Sequence, residues 1–250
     1  MAGGPIISSP EALAAIRLSR RHPSITQVDY LHLRALVEGL RVAVASVPGP
    51  IEDVLDIWCG SRPYEDLLPA GARCVGLDVE GNPYGVADVV SNELLPFDDG
   101  SFDLVTCIES LQYMQDPTRL VSELARVLRP GGSALVSVVF CFEYDRRLPF
   151  EARYTEHQLR ALFSGWDDVD VRENGGRTVS WAVLTNSLVH GLEQRVPPGR
   201  LRRALRPLFG ASTAGVNTIG LALARLEDEL AGPASLPMNL TLTARTPVGD

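Results

Sequence analysis

Lysine is missing from this chain: all 23 of its basic residues are arginine. That excludes Schiff-base lysine chemistry and a P-loop lysine, because each needs an ε-amino group. Cysteine is sparse, and Cys59, Cys74, Cys107 and Cys141 never fall at C-x-x-C spacing or near a histidine at ligand spacing. A zinc site or a disulfide framework is therefore not expected, and no other metal cluster suggests itself. Three of these thiols fall at or near the ends of predicted strands, where cysteine serves as a small apolar group in a reduced, cytoplasmic setting. Positive charge is in deficit, with 31 acids and a net charge of −8. A nucleic-acid surface needs the opposite balance, so small neutral or cationic partners are favoured and nucleic acid is not. The first ten residues lack the charged start and apolar centre of a signal peptide. No uncharged apolar run is read as long enough to span a bilayer, so no stable membrane association is expected. A homo-oligomer is compatible with all of this.

What is present is apolar residues in quantity, 45% of 250, enough for one large domain or two small ones. Two helical stretches open the chain, 11–21 and 24–47, broken by His22-Pro23 and ended by Pro48-Gly49-Pro50. They either cover a sheet face or form a lid. A strand over 53–58 follows, then a helix from about Pro63, a strand over 73–77 closed by Asp78, and a short strand within 85–90. Residues 102–108 read as a strand. Asp116-Pro117 caps a helix whose Leu120, Leu124, Val127 and Leu128 share a face. Arg129-Pro130-Gly131-Gly132 then turns into a strand over 134–140. This alternation predicts a parallel sheet with right-handed crossovers.

Further on, Thr155 to Gln158 has the form of a capping box for a helix reaching about Phe163. A strand is expected over 168–172, and helices over 179–194 and 213–231. The last of these has Val216, Ile219, Leu223, Leu226 and Leu230 on one face, which makes it an amphipathic helix. The arginine-rich run 200–206 reads as a short solvated helix limited by Pro197, Pro198 and Pro207, although its basic face could meet a phosphorylated or lipid-linked group. Residues 238–245 alternate as a strand. No internal repeat or low-complexity tract is present.

Four motifs stand in order between residues 50 and 140: Val54-Leu55-Asp56 with Cys59-Gly60, Gly76-Leu77-Asp78, Leu95-Pro96-Phe97 with Phe102-Asp103-Leu104-Val105, and Arg126-Val127-Leu128-Arg129-Pro130-Gly131-Gly132. Together they resemble the methyltransferase type 11 branch of class I S-adenosylmethionine-dependent methyltransferases. The resemblance implies an α/β fold, a Rossmann-like sheet of seven strands with the last antiparallel at an edge, under helical N-terminal and C-terminal cover. It divides the chain into an N-terminal helical lid (1–50), a cofactor-binding core (51–177), a helical insertion or cap (178–235) and a final core strand with its tail (236–250).

The implied cofactor is S-adenosylmethionine, with S-adenosylhomocysteine as product and a small-molecule acceptor. Physically, an acid closing the second strand suits a ribose diol, each charge-assisted bond contributing roughly 1.5–3 kcal/mol. That places Asp78 on the sugar, with Val79 beside it. Asp56, Cys59, Gly60, Ser61 and Tyr64 would bound the first turn, while Asn92, Glu93 and Ile108 would flank the base or the methionine part. Trp58 stands where the family has glycine. A left-handed tryptophan would cost about 1–2 kcal/mol, so either an ordinary backbone or a remodelled pocket is expected there, with the indole packing on the cofactor or else closing the site. No covalent catalyst stands out. Tyr113, Glu109 and Arg153 are the candidate catalytic groups, with Tyr144, His32 and Tyr30 near the same opening. A non-catalytic ligand-binding member of the same fold is the alternative. A nicotinamide enzyme is disfavoured, because the turn lacks three spaced glycines.

Overall fold

The computed structural model describes residues 9–91, 95–144, 150–229 and 235–248. Its elements are α1 (Pro10–Arg21), α2 (Tyr30–Ser46), β1 (Asp53–Ile57), β2 (Arg73–Asp78), β3 (Val89–Val90), β4 (Phe102–Ile108), α3 (Pro117–Val127), β5 (Leu128–Val139), α4 (Glu156–Leu162), β6 (Asp167–Asn174), α5 (Arg177–Arg195), α6 (Arg200–Glu229) and β7 (Asn239–Arg245). Seven strands form one sheet in the order β3-β2-β1-β4-β5-β7-β6. The first five are parallel, and β7 runs antiparallel to both of its neighbours. This is the class I methyltransferase topology.

Alternation along the strands feeds two cores. Leu55, Ile57, Val105 and Val136 face one side with Leu120 and Leu124 of α3 and Leu159 of α4. Val54, Leu104 and Leu135 face the other with Leu36, Val37 and Leu40 of α2. Each such fully buried leucine contributes roughly 2 kcal/mol. The caps are as the residue types predict: the Asp116 carboxylate accepts the Arg119 amide at 2.9 Å, and Thr155 and Gln158 form the reciprocal box. The two arginines of the 126–132 motif are ties. Arg126 donates to the carbonyls of Leu95 and Phe97, and Arg129 pins Asp53 of β1 beside Asp103 of β4.

Several expectations change. The helix from Pro63 shrinks to a 3-10 turn, Glu65–Leu67, because Pro69 and Gly71 follow within one turn. Residues 24–29 form turns, with the Gln27 side chain accepting the Ser24 amide at 2.5 Å, so α2 starts at Tyr30. The third strand is two residues long, and β5 begins at Leu128, ahead of the expected turn. The closing strand lies inside the sheet, between β5 and β6, not at its edge. Both its faces are therefore covered: Asn239 and Thr241 are as buried as Leu240 and Leu242, and Asn174 donates to Asn239 Oδ1 and Thr241 Oγ1 at 2.7 and 2.6 Å.

The largest correction concerns α6. It absorbs the arginine run and carries Pro207 in its interior. Its buried face holds Thr213, Asn217 and Gly220, while Ile219, Leu223 and Leu226 are exposed. A β-carbon on Gly220 would stand under 3 Å from both Leu31 and Ala182, so the small residue sets how closely α2, α5 and α6 approach. Residues 207–224 also carry no charge. By length and hydropathy alone, α6 would suffice to cross a membrane, contrary to the expectation from the sequence. Leu230 lies outside the described residues.

Candidate active site

The carboxyl ends of β1, β2 and β4 meet at one edge, and the loop after β1 shapes it. Trp58, Gly60 and Arg62 all have positive φ, at 52°, 57° and 55°. For a tryptophan and an arginine that conformation costs roughly 1–2 kcal/mol each, so the ordinary backbone, one of the two expectations at Trp58, is not what the fold adopts. Its surroundings hold the loop in place. The Arg62 guanidinium reaches Asp88 at 2.7 Å, Cys74 O at 2.9 Å and Glu65 at 3.0 Å, and it fits only because β2 presents Gly76, whose β-carbon would crowd it at 3.3 Å. The Trp58 indole packs against the Leu55 core.

Asp78 is buried at the end of β2, and its carboxylate is well supplied. Oδ2 accepts the Gly60 amide at 2.7 Å and Asn82 Nδ2 at 2.5 Å, and Oδ1 accepts the Val79 amide at 2.7 Å. It braces the first turn. Asp56 lies deeper, accepting Thr106 Oγ1 at 2.7 Å, and burial pushes its carboxyl up to about 6. Desolvation likewise pushes the Cys59 thiol up to about 12, leaving it an unreactive neutral group.

Over this edge lies a cavity of about 130 Å³, with Trp58, Gly60 and Ile108 among its walls and Arg20 closing it. Helix α1 reaches over it with three arginines. Arg17 donates to the carbonyl of Ser61 at 2.6 Å, Arg20 to the Tyr64 hydroxyl at 3.3 Å, and Arg21 pairs with Asp66. Thus α1 lies over this edge, and α2 packs on the sheet face.

Glu109, just after β4, is the third non-glycine residue of this edge with a positive φ, 51°. Its carboxylate meets Nε2 of His32 at 3.0 Å and Arg20 at 3.8 Å. Burial works to raise its pKa, but His32 and Arg20 outweigh that and hold it below the usual carboxylate range. His32 is 5% exposed, its ring lies 5.3 Å from that of Phe142, and its Nδ1 is buried without a hydrogen-bond partner. Glu109 and His32 thus form a largely buried pair at the end of β4.

Tyr113 sits on the 3-10 turn Leu111–Tyr113, half-exposed, with its hydroxyl pKa raised by partial burial. Arg153 is engaged with Glu151 and with the carbonyls of Phe142 and Glu143, so it fastens the segment after β5. Asn92 and Glu93 lie outside the described residues. Sequence reasoning did not single out Arg62 or Arg20; a charged residue two positions after Gly60 was the available signal for the first.

The strand order and the antiparallel β7 are those of the class I methyltransferase fold. Residues 55–136 match the family model described as a methyltransferase domain. Among curated proteins, the chain is 45% identical over 134 residues to a demethylmenaquinone methyltransferase of Streptomyces avermitilis, covering 48% of this chain and 55% of that protein. It is 31% identical over 148 residues to a ubiquinone biosynthesis O-methyltransferase of Dechloromonas aromatica, covering 53% and 63%. The chain thus spans between half and two thirds of the length of these relatives. Among solved structures, the [4+2]-cyclase SpnF aligns over 99% of both chains with a TM-score of 0.53 and 20% identity, a likeness of fold.

S-adenosylmethionine is the cofactor of this fold class, and the donor set here suits it. The Asp78 carboxyl group sits beside a turn where Gly60 has nothing within 4 Å of the place its β-carbon would occupy, and Ile108 and Trp58 offer apolar walls. Ligands of that size use cavities of roughly 300–1,000 Å³. The space here is smaller, so its walls must part to admit one.

Proposed function

We propose that this chain transfers a methyl group from S-adenosylmethionine to a nucleophilic oxygen of a small molecule, a hydroxylated quinone or a related phenol. The observation that carries this reading is the meeting, at one sheet edge, of the Asp78-braced turn with the His32–Glu109 pair. The quinone-directed names of the curated relatives support the acceptor class.

Bound S-adenosylmethionine supplies an electrophilic sulfonium methyl. Asp78 and the 58–61 turn would hold its nucleoside, with Ile108 and Trp58 as apolar walls. Glu109, accepting the Nε2 proton of His32, leaves the lone pair on Nδ1, the arrangement needed to remove an acceptor hydroxyl proton. The Phe142 ring beside the imidazole helps to bury it, and the alignment of acceptor and donor is the remaining contribution of the fold.

Calorimetry is expected to show saturable S-adenosylmethionine binding that Asp78→Ala weakens at least tenfold, roughly the loss of one charge-assisted contact. His32→Gln is expected to leave that binding intact and to lower methyl transfer to a demethylated quinone by about 10²–10⁴. Absence of binding to the unaltered chain would overturn the proposal. One observation favours a second reading, a ligand-binding protein without turnover: a tryptophan and an arginine occupy the left-handed positions flanking Gly60. Tight binding with no methylated product from any hydroxylated quinone tested would select it.

A further inference from the structure

A second cavity lies away from the strand ends, between the α5–α6 turn and the connection from α1 to α2. It encloses about 630 Å³, with Arg202, Arg203 and Arg206 on one side, His190 on another, and Thr26 and Val28 forming the back. On a helix these three arginines, at i, i+1 and i+4, point to neighbouring parts of one face. Most arginines elsewhere in the chain have an acid: Arg62 has Asp88, Arg126 has Asp99 and Glu123, and Arg129 has Asp53 and Asp103. Arg203 and Arg206 form no ion pair among the described residues. The acid in the cleft, Glu193, faces His190 at 3.7 Å, and Arg202 spends one nitrogen on Gln194 Oε1 at 2.8 Å. Two uncompensated guanidiniums thus share a cleft in a molecule whose net charge is −8.

The back wall is fixed by buried polar bonds. Asn217, fully buried, donates to the carbonyls of Ile25 and Gln27 at 2.8 and 3.0 Å and accepts Asn186 Nδ2 at 2.8 Å. The connection that forms the wall is therefore held in one position, as a binding surface requires. A guanidinium presents a planar fork that matches phosphate oxygens two at a time. Two free forks match a dianion or a diphosphate better than a lone carboxylate, and the volume leaves room for an organic body against Val28 and Phe209.

We propose that this cleft binds the phosphate or diphosphate end of a phosphorylated small molecule, with Arg203 and Arg206 as its anion holders. The proposal does not depend on methyl transfer. Titration of the full chain with inorganic pyrophosphate at low salt is expected to be saturable. Affinity should fall about tenfold or more in the Arg203→Gln/Arg206→Gln double variant, with the melting temperature unchanged, and should be unaffected in Arg225→Gln, near the far end of α6. No saturation up to about 10 mM pyrophosphate, or equal affinity in the double variant, overturns the proposal. Vesicles of phosphatidylglycerol, compared with phosphatidylcholine, separate the other source of the same chemistry: sedimentation with the anionic vesicles, without pyrophosphate binding, would assign the arginines to a lipid headgroup and refute a soluble ligand.

Discussion

Position 58 asks a tryptophan to do what glycine does freely. At φ 52° the side chain crowds its own backbone, and the indole also takes part of the space above the turn. Trp58→Gly should relax the loop and enlarge the cavity. The expected outcome is S-adenosylmethionine binding tightened by several-fold to about tenfold, the equivalent of roughly 1.4 kcal/mol, read by calorimetry. Weaker binding would instead mean that the indole is a wall the nucleoside needs. The residue types at Asp56, Gly60 and Asp78 made the edge legible in the sequence. The backbone at 58 and 62 was not, because the loop imposes its conformation from the strand geometry and only Gly60 advertises it. The pairing of His32 with Glu109 was hidden for a different reason: 77 positions separate them, and the contact exists only because α2 packs across the sheet.

The same contrast governs whole elements. Helices α3 and α4 were legible because their caps are local, a side chain bonding an amide three residues away. Helix α6 misleads because its apolar stripe is real but faces outward, and the side that packs is chosen by fit: Gly220 against Ala182 and Leu31, and Asn217 against Asn186. Periodicity reports that a stripe exists, not which stripe the neighbours take. Leu226→Gln should therefore change stability by no more than about 0.5 kcal/mol, as for an ordinary surface site. Asn217→Ala, which strands two carbonyls and the Asn186 amide, should cost about 2 kcal/mol or more. Urea midpoints of the two variants decide the matter, and a larger loss for Leu226→Gln would show that the exposed stripe is covered in solution.

At the scale of the whole molecule, two carboxyls set opposing limits on stability as pH changes. Burial works against the Glu227 charge, but the amides and side chains of Arg177 and Thr178 at the start of α5 overcome it and bring its pKa down to about 2. A depressed native pKa stabilises the fold above the unfolded value of 4.5, and that contribution is lost as pH falls toward 2. Asp56 works the other way. Its native pKa is raised by desolvation from 3.8 to about 6, so the folded chain holds a proton that the unfolded chain has already released. No cost is felt below 3.8; it grows as pH rises and is complete above about 6, where it reaches about 3 kcal/mol. Asp56→Asn keeps an oxygen for the Thr106 hydroxyl and removes the buried charge. Relative to the unaltered chain, the variant should gain up to about 3 kcal/mol between pH 4 and pH 7.5, measured as the change in urea-unfolding free energy at the two values. If the difference between the two proteins were the same at both pH values, the carboxyl beneath the cofactor edge would have to be ionised at little cost. The only structural route to that is water or a cation reaching Asp56 through the turn that Asp78 braces.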